Sequence, residues 1–316
     1  MSTNKQSVAT SPTREQLLLA MDQVNGVLLG KQDAVELAFA CLLAGGHLLI
    51  EDIPGVGKTT LAQALAVTLG ADYRRIQFTA DLLPADILGV SVYRRDEERF
   101  EFHTGPIFAQ LVLADEVNRA TPKTQSALLE AMAESHVTIE GKTRELPKPF
   151  FVIATQNPLD TTGTFPLPDS QLDRFLLSLS LGYPDHSAER QLLIQGDKQA
   201  TVQSLEPCLG PDSVLELQNL SAQIFVSEAL LDYVQALLDC SRKFPGLRKG
   251  LSPRAGLALI RCAQALAMIR GRDFCVPEDV KQLFPSLALH RLQTSEEEAS
   301  PAAKIIGDIL EQVAIP

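Results

Sequence analysis

The sequence predicts an α/β fold: a parallel five-stranded sheet sandwiched by helices, followed by a smaller all-α domain. Two observations support this prediction. Five short apolar runs alternate with helical patterns in the first part of the chain, and this alternation is typical of a parallel sheet covered on both faces. Beyond residue 185, the periodic segments have helical spacing, and none alternates like a strand.

The composition is that of an ordinary globular protein. The chain has 316 residues, of which 45% are hydrophobic and 21% are charged, and this length favours two domains. It carries 28 Lys and Arg against 39 Asp and Glu, which gives a net charge of −11. This balance argues against a generic binder of nucleic acid or of an anionic membrane, because such binders rely on Lys and Arg.

Three further observations bear on location. No run reaches the roughly 20 uninterrupted apolar residues that span a bilayer. The first 13 residues are polar and lack the apolar run of a secretory signal. The five cysteines are scattered, with no C-x-x-C pair, which favours buried free thiols. We therefore expect a cytoplasmic protein without membrane insertion.

Each apolar run is bounded by turn residues, as buried parallel strands usually are. The predicted strands are His47–Glu51, Tyr73–Phe78, Gln110–Asp115, Phe150–Thr155 and Leu176–Leu181. The predicted helices are Arg14–Leu29, Gln32–Leu43, Leu61–Leu69, Thr124–Ser135, Ala188–Gln195, Val214–Leu220, Glu228–Phe244, Arg254–Ile269 and Pro277–Leu292. The chain thus divides into a polar tail (1–13), an α/β core (14–185) and a helical domain (186–316).

Two segments interrupt the α/β alternation. Residues 90–102 and 137–146 alternate apolar and polar side chains around a turn, which predicts two β-hairpins. Each hairpin precedes a core strand, and insertions at such places are more often working loops than scaffolding.

A glycine-rich turn separates the first predicted strand from the next helix. It comprises Pro54, Gly55, Val56, Gly57, Lys58 and Thr59, with Thr60 following. Glycines there let backbone N–H groups surround phosphates, and the helix N-terminus adds a favourable dipole. Lys58 would reach the β- and γ-phosphates, and the Thr59 hydroxyl would ligate Mg²⁺. On this motif alone, the alternative that the glycine-rich turn only caps a helix and binds no nucleotide remains open.

Asp52 departs from the strict G-x-x-x-x-G-K-[ST] pattern, which has glycine at this position. A carboxylate there must point away from the phosphates, and it would weaken or retune nucleotide binding. We expect the departure to be tolerated because Gly55, Gly57 and the amides that follow are intact.

Asp115 and Glu116 end a strongly apolar strand. The strand places both carboxylates at the carboxyl edge of the sheet, where α/β proteins bind ligands. Asp115 would hold Mg²⁺ through its water shell, and Glu116 would orient and polarise the attacking water. An Asp-Glu pair is common on protein surfaces, but its position downstream of a P-loop predicts nucleotide hydrolysis.

Three more residues have both a functional and a structural interpretation. Asn157 would reach the γ-phosphate or the water, although Asn-Pro is also a frequent turn. Arg174 is either a salt-bridge partner or an arginine finger inserted into a neighbouring subunit's site. Arg254 follows Ser252, the expected N-cap, and Pro253; it either belongs to this cap or folds back over the phosphates.

In chain order, these motifs resemble the MoxR family of AAA+ ATPases. The matching blocks are residues 78–89, 105–108, 115–120, 123–132, 154–158, 164–168 and 171–175. So many blocks in order form a specific signal that covers nearly the whole chain. The resemblance implies a P-loop NTPase (AAA+) core with a parallel five-stranded sheet sandwiched by helices, and a smaller all-α lid domain over 186–316.

The resemblance also implies residue roles. It places Lys58 and Thr59 in Walker A, Asp115 and Glu116 in Walker B, Asn157 at sensor 1, Arg174 at the arginine finger and Arg254 at sensor 2. It makes 90–102 the helix-2 insertion and 137–146 the pre-sensor-1 hairpin, and it lets Gly30, Lys31 and Gln32 wrap the adenine. The implied cofactors are ATP and Mg²⁺. The implied partners are further copies in a hexameric ring and a client or adaptor protein, often one with a von Willebrand factor A domain.

The leading functional hypothesis is therefore an ATP-hydrolysing, chaperone-like remodeller that matures or assembles partner complexes. A nucleic-acid-dependent motor is the first alternative, but the charges on hairpin 90–102 are interleaved like those of a solvated face. Hairpin 137–146 offers only Lys142 and Arg144 as basic residues. The second alternative is a slowly hydrolysing, nucleotide-gated assembly switch, which rests on Asp52 alone. The acidic net charge favours protein clients.

Overall fold

A computed structural model of the chain describes residues 12–158, 163–196, 202–294 and 302–315. Its first part is organised around five strands: β1 (Leu48–Glu51), β2 (Tyr73–Gln77), β5 (Leu111–Asp115), β8 (Phe151–Gln156) and β9 (Leu177–Leu179). They form one sheet in the order β2-β5-β8-β1-β9, and every neighbouring pair is parallel. The predicted sheet is confirmed, and each observed strand lies within one or two residues of its predicted bounds.

Helices cover both faces of this sheet. They are α1 (Pro12–Val27), α2 (Gln32–Leu43), α3 (Lys58–Thr68), α4 (Pro84–Leu88), α5 (Pro122–Glu134) and α6 (Asp169–Leu172). Pro12 and Thr13, which we had assigned to the tail, are part of α1; residues 1–11 lie outside the described part. The short helices α4 and α6 were not predicted, because four or five residues carry too little periodicity.

Alternate side chains of each strand face two separate apolar clusters. In β5, Leu111 and Leu113 join the first cluster, whereas Val112 and Ala114 join the second. The first cluster includes α1, α2, α3 and the C-terminal helices, so those helices and the core share one apolar interior. The second cluster packs α4 and α5 beneath the other face.

Two antiparallel hairpins occupy the predicted insertions. They are β3–β4 (Gly89–Arg94 and Arg99–Thr104) and β6–β7 (His136–Ile139 and Lys142–Glu145). The Ser91 hydroxyl donates to the Glu140 carboxylate over 2.6 Å. The Arg144 guanidinium lies 3.7 Å from the ring centroid of Phe102. The two hairpins therefore pack side by side and present one joint surface.

The C-terminal part is helical: α7 (His186–Gln195), α8 (Pro211–Ser221), α9 (Glu228–Lys243), α10 (Pro253–Ile269), α11 (Pro277–Ala288) and α12 (Ala302–Gln312). Ser252 caps α10 by accepting a hydrogen bond from the Ala255 N–H over 3.2 Å, as predicted. The sequence did not predict the small ribbon of β10 (Leu247–Lys249) and β11 (Gln293–Thr294).

The cysteines and the helix lengths test two composition-based expectations. All five cysteines are free thiols, and Cys41, Cys262 and Cys275 are buried. Cys208 and Cys240 are only half-buried, so the expectation of burial was wrong for these two. Within the described ranges, no helix combines the length and the apolar character needed to cross a bilayer.

Candidate nucleotide-binding site

The P-loop connects the end of β1 to the start of α3. Gly55 and Gly57 have φ angles of 85° and 103°, a region that side-chain-bearing residues rarely adopt. A Cβ atom on Gly57 would also lie 2.9 Å from Leu28 Cδ1. The glycines are therefore required by the backbone path, which turns the first amides of α3 toward the cavity described below.

Lys58 begins α3 and is half-buried. Its Nζ donates to the backbone carbonyl of Asp52 over 2.7 Å. Burial lowers the pKa of this ammonium group, while the carboxylates of Asp115, Asp52 and Glu116 oppose the shift. The side chain thus lies along the loop, in the negative field of the sheet edge.

The Asp52 carboxylate points away from the cavity, as its sequence position had predicted. It is buried, with an exposed fraction of 5%. Its Oδ2 accepts hydrogen bonds from Ser180 Oγ (3.1 Å), Leu181 N (2.6 Å) and Gly182 N (2.7 Å). Asp52 therefore joins the P-loop to the segment after β9 and does not face the phosphates.

Asp115, at the end of β5, is held by two side chains. Thr155 Oγ1 donates to its Oδ1 over 2.6 Å. Arg75 of β2 donates to its Oδ2 through Nε (3.2 Å) and Nη2 (2.7 Å). The carboxylate thus already carries a cation as partner, at the place where Mg²⁺ is expected.

Glu116 has the left-handed backbone conformation, with φ 57°. Its N–H donates to Thr155 Oγ1 over 2.9 Å, and its Oε2 accepts from Gln77 Nε2 (2.8 Å) and Arg119 Nη1 (3.0 Å). Such strained backbone persists only when its surroundings fix it, and it often marks functional residues. Both ends of this residue are therefore positioned by neighbouring strands.

One cavity of about 370 Å³ brings most of the predicted site residues together. Its lining residues are Pro54, Gly55, Gly57, Lys58, Thr59, Thr60, Arg75, Gln77, Asp115, Glu116 and Asn157. Val56 is the exception within the loop, because its side chain packs into the first apolar cluster. Arg75 and Gln77 were not predicted; their alternate positions put both side chains on one face of a strand, but do not place them beside Asp115.

Gly30, Lys31 and Gln32 lie outside this lining. Lys31 Nζ donates to the Tyr183 carbonyl over 2.7 Å, and a Cβ atom on Gly30 would lie 3.0 Å from Ala188 Cβ. Leu28, two residues earlier, approaches Gly57 of the P-loop. Residues 28–32 therefore lie between the P-loop, which Leu28 approaches, and residues 183–188, which Lys31 and Gly30 contact.

The ligand set at this edge suits Mg²⁺ better than a metal caged by protein side chains alone. No cluster of three or more His, Cys, Asp or Glu side chains in the described part could hold a metal. Mg²⁺ instead favours one or two carboxylates or hydroxyls together with nucleotide phosphates and water. The Thr59 hydroxyl and the Asp115 carboxylate line the same cavity and fit this requirement.

Arg174 and Arg254 lie elsewhere, in a second cavity of about 350 Å³ that also contains His47 and Arg261. His47 directly precedes β1, whereas the P-loop follows it. A four-residue strand spans roughly 13 Å. The two arginines thus lie at the amino edge of the sheet, and Arg254 does not fold back over its own P-loop as one sequence interpretation had it.

The sheet order, the P-loop and the acidic strand end define a P-loop nucleotide-binding protein with a helical lid. The family described as "ATPase family associated with various cellular activities (AAA)" matches residues 47–177, and the AAA lid domain matches residues 242–312. The chain belongs to the MoxR family of AAA+ ATPases.

Individual relatives support this membership. The chain is 44% identical to the uncharacterized protein YeaC of Bacillus subtilis, over 94% of each chain. It is 40% identical to Chaperone MoxR1 of Mycobacterium tuberculosis, over 94% of this chain and 81% of the relative. A crystal structure of a proposed ATPase from Cytophaga hutchinsonii superposes with a TM-score of 0.87 at 36% identity, covering 96% of each chain.

Proposed function

We propose that this protein binds ATP with Mg²⁺ at the P-loop cavity and hydrolyses it to ADP and phosphate. The observation that carries the proposal is that Lys58, Asp115, Glu116 and Asn157 line one cavity with the P-loop amides. Phosphoryl transfer needs little more than positioning and charge stabilisation, and these residue types supply both.

Each side chain then has a distinct task. Lys58 exchanges its bond with the Asp52 carbonyl for one with the β- and γ-phosphates. Glu116 orients the attacking water and polarises it, while Gln77 and Arg119 hold its carboxylate in place. Asn157 contacts the γ-phosphate or the water. Thr59 and Asp115 would hold Mg²⁺, which would neutralise negative charge on the phosphates when bound.

We further propose that Arg174 and Arg254 act on the nucleotide of a neighbouring subunit. They line a cavity at the opposite edge of the sheet from the P-loop of their own chain, so their own nucleotide is out of reach. An arginine supplied in trans stabilises developing transition-state charge. This arrangement requires head-to-tail contacts between subunits, and the family resemblance supports a hexameric ring.

The work done with this ATP is proposed to be chaperone-like remodelling of a partner protein in the cytoplasm. The name of the mycobacterial relative, Chaperone MoxR1, supports this assignment, and so do the free thiols of all five cysteines. The resemblance adds a client or adaptor that carries a von Willebrand factor A domain. A Glu116→Gln variant should retain such a client with ATP and release it with ADP.

The joint hairpin surface does not favour the nucleic-acid alternative. Arg94 pairs with Glu101 over 2.6 Å, Arg99 pairs with Glu97, and Arg144 covers the ring of Phe102. Three of its basic side chains therefore already have partners within the surface. ATP hydrolysis that is stimulated by DNA and falls steeply with salt would contradict this assignment.

A mixing experiment tests action in trans. Arg174→Ala subunits keep a complete P-loop cavity but lack the finger, whereas Lys58→Ala subunits keep the finger but lack the phosphate contact. We expect each variant alone to be nearly inactive and a mixture to regain ATPase activity. Arg248→Ala, which removes an exposed arginine of the β10–β11 ribbon, is the matched control and should behave like the parent. Absence of rescue would overturn the trans arrangement.

A further inference from the structure

We infer that Asp173 is a positioning residue that holds Arg174 and Arg254 in one arrangement set by the C-terminal helices. This inference rests on the proposed action of both arginines in trans. It goes further by naming the group that fixes them and by making the lid part of the neighbour's catalytic site.

The Asp173 carboxylate lies next to Arg174 in the chain and contacts the N-cap of the helix that carries Arg254. Asp173 directly precedes Arg174, and its Oδ2 accepts a hydrogen bond from Ser252 Oγ over 3.3 Å. Ser252 is the N-cap of α10, and Arg254 is the second residue of that helix. One carboxylate thus links the chain on which the first arginine lies to the helix terminus that carries the second.

Arg291, which follows α11, binds the other oxygen of the Asp173 carboxylate. Its side chain is 4% exposed, and its Nε donates to Asp173 Oδ1 over 2.7 Å. Nη2 donates to the Phe175 carbonyl (2.6 Å), and Nη1 donates to the carbonyls of Leu176 (3.1 Å) and Leu287 (2.6 Å). Leu287 belongs to α11, so Arg291 ties the Asp173 side chain and the backbone that follows Arg174 to that helix.

Further contacts surround Asp173, Arg174 and Arg291, some from the core and some from the lid. Arg174 itself donates to the Leu129 carbonyl of α5 over 2.5 Å, and His290 Nε2 lies 3.1 Å from the Phe175 carbonyl. Loss of Asp173 would leave a buried guanidinium without its counter-charge, which is strongly unfavourable. A shift of α10 and α11 would therefore act on Arg254 directly and on Arg174 through Asp173 and the Phe175 carbonyl, against the hydrogen bond that holds the Arg174 guanidinium on α5.

The consequence is communication between subunits. Asp52, at the start of the P-loop pattern, accepts hydrogen bonds from Leu181 N and Gly182 N, and residues 183–188, which follow, contact Lys31 and Gly30. Nucleotide bound at the P-loop would act on the lid, and the lid would set both arginines at the next subunit's site. Asp173 is the point at which the lid meets the arginine finger.

The experiment uses mixed oligomers, because a merely structural role would not depend on which subunit is altered. Lys58→Ala subunits, called the donor, supply intact Arg174 and Arg254. Arg174→Ala subunits, called the acceptor, supply an intact P-loop cavity. Asp173→Asn in the donor should lower the rescued kcat roughly ten- to hundredfold while the KM for ATP stays the same. The matched control is Asp239→Asn in the donor, because Asp239 forms an exposed pair with Arg242 of α9 at 3.1 Å.

A milder pair of variants keeps the test decisive if Asp173→Asn folds poorly. Ser252→Ala in the donor removes one hydrogen bond to Asp173 and should lower the rescued kcat in the same way. Ser252→Thr retains the hydroxyl and the N-cap, so it should restore the rate.

Two outcomes count against the inference. An equal loss with Asp173→Asn in the donor or in the acceptor would overturn it and leave action in trans intact. No rescue in the unmodified pair would overturn action in trans and this inference together. A loss confined to the donor supports both.

Discussion

Asp52 Oδ2 accepts a hydrogen bond from the backbone N–H of Gly182 over 2.7 Å, which fastens the P-loop to the segment that leads into the lid. This contact explains how the chain accommodates a carboxylate where the strict P-loop pattern has glycine. The negative charge is satisfied by three donors of residues 180–182, on the side away from the phosphate cavity. The slow-switch hypothesis, which rested on Asp52, therefore loses its support.

The first prediction separates this link from the phosphate contact. Asp52→Asn should lower the free energy of unfolding by about 1–3 kcal/mol. Oδ1 accepts from Ile53 N over 2.9 Å and Oδ2 accepts from residues 180–182, so the amide nitrogen would face an N–H donor in either orientation. The variant's ATP affinity should change by less than about threefold. Lys58→Met should instead change the free energy of unfolding little and weaken ATP affinity about tenfold or more. Denaturant unfolding and fluorescent-nucleotide titration measure both quantities. A large affinity loss at Asp52 with unchanged stability would place this carboxylate at the phosphates.

The second prediction concerns competition between Arg75 and Mg²⁺ for Asp115. Arg75→Gln should lower the Mg²⁺ concentration that half-maximally tightens ADP binding by roughly two- to fivefold, since a half-exposed ion pair is worth about 1 kcal/mol or less. Arg74→Gln on the same strand is the control, with the same charge change and no contact to Asp115. A higher Mg²⁺ requirement in Arg75→Gln would show that the guanidinium assists metal binding.

The third prediction tests the loop beside the P-loop. Gly30 has φ 70°, and a Cβ atom there would lie 3.0 Å from Ala188 Cβ. Gly30→Ala should therefore cost about 1–2 kcal/mol of stability and weaken ATP binding by displacing α7. Gly26→Ala, inside α1 with no atom within 4 Å of its Cβ, should stabilise by about 0.5–1 kcal/mol. Equal effects of the two substitutions on ATP affinity would show that residues 28–32 do not contribute to nucleotide binding.

The fourth prediction is a loss of stability in acid. Burial lowers the pKa of His47 to about 4 and the pKa of His290 to about 3. In the unfolded chain both would titrate near 6.5, so the unfolded state binds more protons between pH 6.5 and 4. The free energy of unfolding should therefore fall as pH falls through this window, by up to about 3 kcal/mol for His47.

Unfolding curves at pH 7, 6, 5 and 4 measure this slope. His47→Gln should flatten it, although the variant is less stable at pH 7 because Nδ1 and Nε2 of His47 bond to Val152 N and Met132 O, each over 3.1 Å. Identical slopes in His47→Gln and the parent protein would contradict the buried neutral imidazole.

The local motifs were predictable because each strand, loop and helix is contiguous in sequence. The sheet and the placement of Lys58, Thr59, Asp115, Glu116 and Asn157 at one edge follow directly from this contiguity. Arg75 and Gln77 were missed because their relation to Asp115 depends on the register of β2 against β5, which pairs Gln77 with Asp115. Spacing alone does not reveal such a pairing.

The partners of Asp52, Asp173 and Arg254 could not be predicted, because each is set by packing between segments that are distant in sequence. Three partners of Asp52 lie in residues 180–182, and the partners of Asp173 in the lid are Arg291 and Ser252. Arg254 was assigned to the phosphates of its own chain by one interpretation, but the packing of α10 on α2 puts it at the other edge of the sheet. Side-chain chemistry suggested what each group could do, and the packing decided on which site it could act.

The proposed hydrolysis depends above all on Glu116, which would activate the water that attacks ATP. Steady-state phosphate release by Glu116→Gln at saturating ATP, measured beside its ATP affinity, tests this most directly. We expect phosphate release at least about a hundredfold slower, with ATP affinity within a few-fold of the parent, because the amide keeps the shape of the carboxylate but cannot accept the proton. Phosphate release at the parent's rate would contradict it.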